Sequence, residues 1–391
     1  MDDAPFDRAE LLRLGVAAHR AGRLQEALQC YRRMLEADDK DFDALQLSGV
    51  VTMQAGDAAA ALGLFDRAVQ VDPGQPMLRN ARGTALQTLG RFEAALAEFV
   101  EATRLKPDYA EAFFNRGEAA RRLGRSEEAL LGYAEASRLK PDHMEATFHR
   151  GNALYSLSRF EEALAGYRET LRLKPGHAVA FNNLGVTLQE LGRLDEAYAH
   201  FTEAVRLDPG YSSAFANRAR LQLLRRRFPA GFADHRHRIG EPDFAVSVQP
   251  TSLPRCEPDT LRGSLLLWAE QGLGDELFYA GLLPELLERE VSVTLSADKR
   301  LHALFARSFP QVRLLDRAVT IRSSIDSGYD AQANIGDLGH LLGIDAASLA
   351  ATRKVYLKVD ERRREEMRAK VAALSGRRVC GIAWRSAHPK F

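Results

Sequence analysis

Hydrophobic and polar positions recur in step along the first 240 residues of the 391-residue chain, with a period of thirty-four. Glycine stands at 15, 49, 83, 117, 151 and 185, and alanine at 27, 61, 95, 129, 163 and 197. Aromatic residues fill Tyr31, Phe65, Phe99, Tyr133, Tyr167 and Phe201, and proline fills 73, 107, 141, 175 and 209. Residues 111–143 show what one period predicts. Phe113, Phe114, Ala119 and Leu123 fall near one stripe of a first helix, the spacing of an amphipathic face. Gly117 is small where two helices must approach, and Gly124 ends the first helix in a left-handed cap. The second helix buries Ala129, Tyr133 and Ala136, carries Glu127 and Glu128 at its positive end, and stops at Pro141. The prediction is a series of helical hairpins.

This period and residue set are those of the tetratricopeptide repeat. The resemblance implies a solenoid over residues 8–240, with six full repeats and a divergent seventh. Asp39 replaces the proline of the first repeat, and Ala219 and Gly231 take the glycine and alanine places of the seventh. The second helix of that hairpin, around FPAGFADHRHRI, reads as a cap onto the next domain. Such arrays bind partners on their concave surface, so a polypeptide in the groove is the expected partner. Asn115, His149, Asn183 and Asn217 share one phase of the first helices, where Arg13, Leu47 and Ala81 stand earlier. An asparagine amide both donates and accepts, so a row of them can hold an extended backbone. The row resembles the ladder in the superhelix of O-linked N-acetylglucosamine transferases; it also fits a merely solvated polar face.

Residues 241–262 hold four prolines and no helical period, the mark of a connector. The pattern then changes. SLLLWA (264–269) is an apolar run of strand length, followed by a glycine turn and a helical stretch to about 290. VSVTLSA (291–297), VRLLD (312–316) and YDAQANIG (329–336) read as further strands, with helical segments at 299–309 and 338–343. Strand alternating with helix implies a parallel sheet in a Rossmann-like domain, placed at 263–360. The fold class is therefore α plus α/β.

Gly272 and Gly274 supply two glycines of a dinucleotide fingerprint, with Leu277 in the third place. The turn sets Asp275 at the carboxyl edge of the sheet, where open α/β domains bind ligands. There a carboxylate can serve as a general base. From the residues alone, Asp275 as a helix cap and Glu276 as a dipole partner is the favoured reading. WAEQGLGDELFYAGLLPELLE resembles the signature that follows repeat arrays in bacterial glycosyltransferase-like proteins, and the first strand, turn and helix of the heptosyltransferases. The resemblance implies a GT-B arrangement, a nucleotide-sugar donor and Asp275 as catalytic base. It also implies a connecting helix and the first strand of a second domain at 361–391, with Arg385, Ser386 and Lys390 near donor phosphates. Those three residues read equally as an exposed loop end. On this reading the second domain is incomplete at Phe391, and sugar transfer by this chain alone is not expected.

Composition narrows the alternatives. With 54 basic against 53 acidic residues, the chain lacks the basic excess of a general nucleic-acid binder. No apolar run has membrane-spanning length, and the acidic N-terminus is not a signal peptide. Three scattered cysteines argue against a disulfide framework. A cytoplasmic setting is expected. No metal site is expected, since His235 and His237 diverge on a helix, and Arg225–Arg227 reads as a solvated helix end. Two functions remain: a peptide-presenting glycosyltransferase lineage, or a non-catalytic interaction scaffold.

Overall fold

The computed structural model describes residues 7–240, 251–270, 272–320, 328–351 and 356–372. Fourteen helices come first: α1 (Arg8–Arg20), α2 (Leu24–Ala37), α3 (Phe42–Gln54), α4 (Ala58–Val71), α5 (Pro76–Thr88), α6 (Phe92–Leu105), α7 (Ala110–Arg122), α8 (Ser126–Leu139), α9 (Met144–Ser156), α10 (Phe160–Leu173), α11 (Ala178–Glu190), α12 (Leu194–Leu207), α13 (Ser212–Leu224) and α14 (Phe228–His235). Contacts divide the chain into two compact units, Met1–Ala197 and Tyr198–Phe391.

In the first unit the helices pair as antiparallel hairpins, α1 with α2 through α9 with α10. The joint recurrence of glycine and aromatic has a direct cause. A Cβ added at Gly15, Gly83, Gly117 or Gly151 would lie 2.5–2.8 Å from the ring sixteen residues on, that of Tyr31, Phe99, Tyr133 or Tyr167. Each ring is fully buried and fills the space that the glycine leaves. The turns inside the hairpins carry a second register. Gly22, Gly56, Gly90 and Gly124 take positive φ, and Ser158 takes φ 58° at the same place. A left-handed residue lets the second helix fold back against the first.

In the second unit α13 and α14 form the divergent hairpin, followed by a 3-10 turn at Arg236–Gly240. Four strands then alternate with short helices: β1 (Ser264–Trp268), α15 (Leu273–Ala280), α16 (Leu283–Leu287), β2 (Ser292–Ala297), α17 (His302–Ser308), β3 (Arg313–Asp316), α18 (Arg317–Thr320), β4 (Ala331–Asn334), α19 (Leu338–Leu341) and α20 (Ala346–Ala351). A further helix, α21, spans Glu361–Ala372. The sheet is parallel throughout, in the order β3-β2-β1-β4. Leu265, Leu266, Leu267 and Trp268 are all buried, so both faces of β1 are covered, as a central parallel strand requires. Phe232 of α14 belongs to the same apolar core as the strands, and its ring fills the space above Gly339 in α19. The seventh hairpin is thus packed into the core of the sheet unit.

The helical stretch expected after β1 breaks into α15 and α16 near Gly281. Beyond α16, Arg289 donates to the Leu342 carbonyl at 2.9 Å. Of the connector, residues 241–250 lie outside the described residues, as do 373–391, which hold the expected first strand of a second domain with Arg385, Ser386 and Lys390.

Candidate functional site

Two places combine accessible chemistry with defined geometry. The first is the face formed by α7, α9 and α11. Tyr133 and Tyr167 are fully buried, and their hydroxyls bond to polar side chains of this face: Tyr133 donates to Glu118, and Tyr167 donates to Asn152 Oδ1 at 2.8 Å. Asn183 Nδ2 also donates to Asn152 Oδ1, at 3.0 Å, and Asn115 Nδ2 donates to Asn80 Oδ1 at 2.9 Å. Asn115, His149, Asn183 and Asn217 are all half-buried. Two of the expected ladder amides are therefore already engaged with asparagines outside the expected phase. The surface is a set of side-chain pairs, and Asn80, Asn152 and Glu118 are its unexpected members.

A signal for Glu118 and Asn152 was present in the sequence. Where the aromatic position is tyrosine, the residue fifteen places earlier is polar (Glu118 for Tyr133, Asn152 for Tyr167). Where it is phenylalanine, the partner cannot exploit a hydroxyl in the same way (Val50 for Phe65, Thr84 for Phe99). Tyr31 breaks the rule: its counterpart is Val16, and its buried hydroxyl has no partner among the described residues.

Between these pairs, Asn152, Tyr155, Ser156, Tyr167, Asn183 and Val186 line a cavity of about 230 Å³. On its α7 side, His149 stacks on Tyr133 with ring centroids 5.6 Å apart, and its Nδ1 lies 3.8 Å from Glu118. Burial holds the His149 imidazole below its ordinary value, against the opposing pull of Glu118. Burial also works against the Glu118 carboxylate, but hydrogen bonds from Arg121 and Tyr133 outweigh it and keep that group below the usual range. Asn217 sits on α13 in the other unit.

The second place is the carboxyl edge of the sheet. The chain runs from β1 to β2 and β3 on one side and returns to β4 on the other. The crevice between the carboxyl ends of β1 and β4 is thus the topological switch point, the usual ligand position in such sheets. Here it is filled from within. Arg238, from the turn after α14, donates through Nε to Glu270 at 2.9 Å and through Nη1 to Asp337 at 2.7 Å. All three side chains are at most 5% exposed. Glu270 Oε1 also accepts from the Gly336 amide at 3.0 Å.

Gly272 is the N-cap of α15, and no side chain caps that helix. The expectation that Asp275 serves as the cap is corrected: it lies inside the first turn, past the capping position. Glu276 lies in the first turn, as a dipole partner would, and is fully buried. It accepts from the Asp298 amide at 3.0 Å and from Arg317 at 2.9 Å, and burial raises its carboxyl above the ordinary range. Asp298 is held well below its usual value by hydrogen bonds from Arg300. Asp275, by contrast, is half-exposed and makes no ion pair or side-chain hydrogen bond among the described residues. Open space lies around Gly272 and Gly274, and neither takes positive φ.

Two histidines and the arginine run are accounted for separately. His235 pairs with the Tyr279 hydroxyl at 2.9 Å, and His237 stacks on Phe215. Arg225 and Arg227 lie over the ring of Tyr198, at 6.0 and 5.9 Å from its centroid. Among the described residues no group of three His, Cys, Asp or Glu could hold a metal ion, and no helix is long and apolar enough to cross a membrane.

Family comparisons agree with the hairpin register. Models described as tetratricopeptide repeat match residues 2–42, 12–76, 80–142 and 178–211, and one described as TPR repeat matches 151–192. The chain is a tetratricopeptide repeat protein, of the type that serves as a protein-interaction scaffold. It is similar to Protein FlbA of Caulobacter vibrioides (strain ATCC 19089 / CIP 103742 / CB 15), with 30% identity over 147 residues. That match takes in 34% of this chain and spans only 24% of the relative's length. Among solved structures it resembles pilF of Pseudomonas aeruginosa (20% identity, 53% of this chain and 94% of that one, TM-score 0.46). It also resembles YrrB, described as a TPR protein with an unusual peptide-binding site (22% identity, 47% and 95%, TM-score 0.45).

Proposed function

We propose that this protein binds an extended polypeptide on the α7–α9–α11 face, as an interaction scaffold. The observation that carries the reading is the cavity of about 230 Å³ whose floor is the Asn152–Asn183–Tyr167 cluster. Asn152 and Asn183 supply amide groups to its lining, and Tyr155 and Val186 supply apolar surface, the combination that fixes a backbone and buries one side chain. A synthetic array of unstructured peptides tests it. Replacing Asn152 and Asn183 together by leucine should lower affinity for the selected peptides at least tenfold while thermal stability stays within a few degrees. Unchanged affinity in the folded double variant removes this face from the reading.

A second reading rests on a different observation: Asp275 is the carboxylate at the sheet's carboxyl edge left without a partner among the described residues. It supports a glycosyltransferase-like lineage of Rossmann-like, GT-B-like fold for residues 263–391. Asp275 would act as base, and Gly272, Gly274, Arg385, Ser386 and Lys390 would contact a nucleotide-sugar donor. The open space at the two glycines leaves close backbone approach of a ligand as the reason for them. A panel of labelled nucleotide sugars tests it. Label transfer or donor hydrolysis that disappears in Asp275→Ala supports the base, and equal turnover in the variant refutes it.

A further inference from the structure

A second cavity, of about 570 Å³, opens in the sheet unit between the α13–α14 hairpin and the helices α15 and α20. Leu223, Phe228, Phe232, Phe278, Leu282 and Leu349 form most of its wall. The two tyrosines that border it have their hydroxyls engaged, Tyr279 with His235 and Tyr356 with the Leu277 carbonyl at 2.8 Å. Phe278 is 65% exposed at the margin, an unusual position for so large an apolar side chain.

The one charged residue in the lining is Arg226. Its neighbours Arg225 and Arg227 rest on Tyr198, but Arg226 makes no ion pair or side-chain hydrogen bond among the described residues. Its backbone is strained as well. Arg226 takes φ 57° at the place where the repeat register has glycine at 22, 56, 90, 124 and 192 and the likewise left-handed Ser158. A non-glycine residue there costs about 1–2 kcal/mol. The chain thus keeps a cation at the mouth of an apolar cavity in a conformation that glycine would adopt freely. Strain of this kind gathers at functional sites.

We propose that this cavity binds a small amphipathic anion, its apolar body between Phe228, Phe278 and Leu349 and its single carboxylate or phosphate head on Arg226. The volume falls within the range of small-molecule sites. A guanidinium presents two parallel donors that suit either head group.

Calorimetric titration of the full chain with decanoate, decyl phosphate and decanol, each below its micellar concentration, tests the proposal. At least one anion should bind at least tenfold more tightly than decanol, and the preferred anion identifies the head group. Arg226→Gln should abolish that preference. Arg226→Gly should do so while raising Tm, because the left-handed turn is relieved; an arginine with only a structural role would not give these opposite signs. Leu349→Trp should block all three probes. Failure of both anions to bind the wild-type chain, or equal anion affinity in folded Arg226→Gln, overturns the proposal.

Discussion

The two units of this chain solve the same packing problem over very different sequence distances. In the repeats each decisive contact is local: Gly117 meets Tyr133 sixteen residues on, and the same pair recurs in hairpin after hairpin. Although Asp41 and Glu98 are buried against Arg8 and Arg82, many charges there lie on the surface as i,i+3 pairs such as Glu101–Arg104, Glu135–Arg138 and Glu169–Arg172, themselves thirty-four residues apart. Water screens such pairs, and they contribute little. In the sheet unit the decisive polar contact is buried and distant, with Arg238 reaching Glu270 at a separation of 32 residues and Asp337 at 99. A repeat is specified many times over by cheap local rules. The sheet unit depends on one arrangement that forms only when the whole unit closes.

The strongest way to break this contrast is to remove the central arginine. Arg238→Met leaves two buried carboxylates without their partner, a loss of about 3–5 kcal/mol. Hydrogen exchange should show protection falling across β1, β4 and α19 while that of α3–α8 is unchanged. Equal loss in both units would show that they unfold as one.

Acid sharpens the contrast next. Burial, together with the charge of Arg238, pushes the His235 imidazole down to about 4. Asp337 opposes that shift, and the Tyr279 hydroxyl is the direct partner. The unfolded chain therefore binds the proton more readily. The stability from neutral His235 is complete above about pH 6.5 and is lost as pH falls toward 4, on the order of 2–3 kcal/mol. Urea unfolding of the wild type and His235→Gln across pH 7 to 4 should show a steeper decline in the wild type. Parallel curves would remove His235 as the cause.

In the repeats, single substitutions should have smaller effects with signs set by the register. Gly151→Ala places a methyl against the Tyr167 ring and should cost about 1–3 kcal/mol. Gly63→Ala, in α4 with open space around it, should instead stabilise by about 0.5–1 kcal/mol. A thermal melt distinguishes the two, and a common sign would undo the close-approach account. Smallest is the tyrosine pair. Tyr167→Phe loses its bond to Asn152 and should cost about 1 kcal/mol, whereas Tyr31→Phe removes an unpartnered buried hydroxyl and should be neutral or stabilising.

The hairpins were legible because periodicity amplifies weak signals: one glycine is ambiguous, but six in register are not. The strands were legible for a different reason, since β1 is a short continuous apolar run between turn residues. The site was read less well. Asn115 and Asn183 are half-buried and bonded, and their partners Asn80 and Asn152 stand outside the counted phase. At the sheet edge, the sequence favoured Asp275 as a cap and Glu276 as a dipole partner. Among the described residues the structure leaves Asp275 unpaired and buries Glu276, because a helix start sets only the local geometry and not which acid turns toward β2.

The sequence by itself determined the helical-hairpin register, the glycine–aromatic close approach and the strand positions, all of which depend on neighbours within a few turns of chain. Only the tertiary structure decided that Phe232 of the seventh hairpin enters the core of the sheet and that Arg238 fills the switch point. It alone separated Arg226 from its two flanking arginines. Each of these joins groups far apart in sequence, where chain connectivity imposes no fixed spacing and burial and charge pairing alone select the partner.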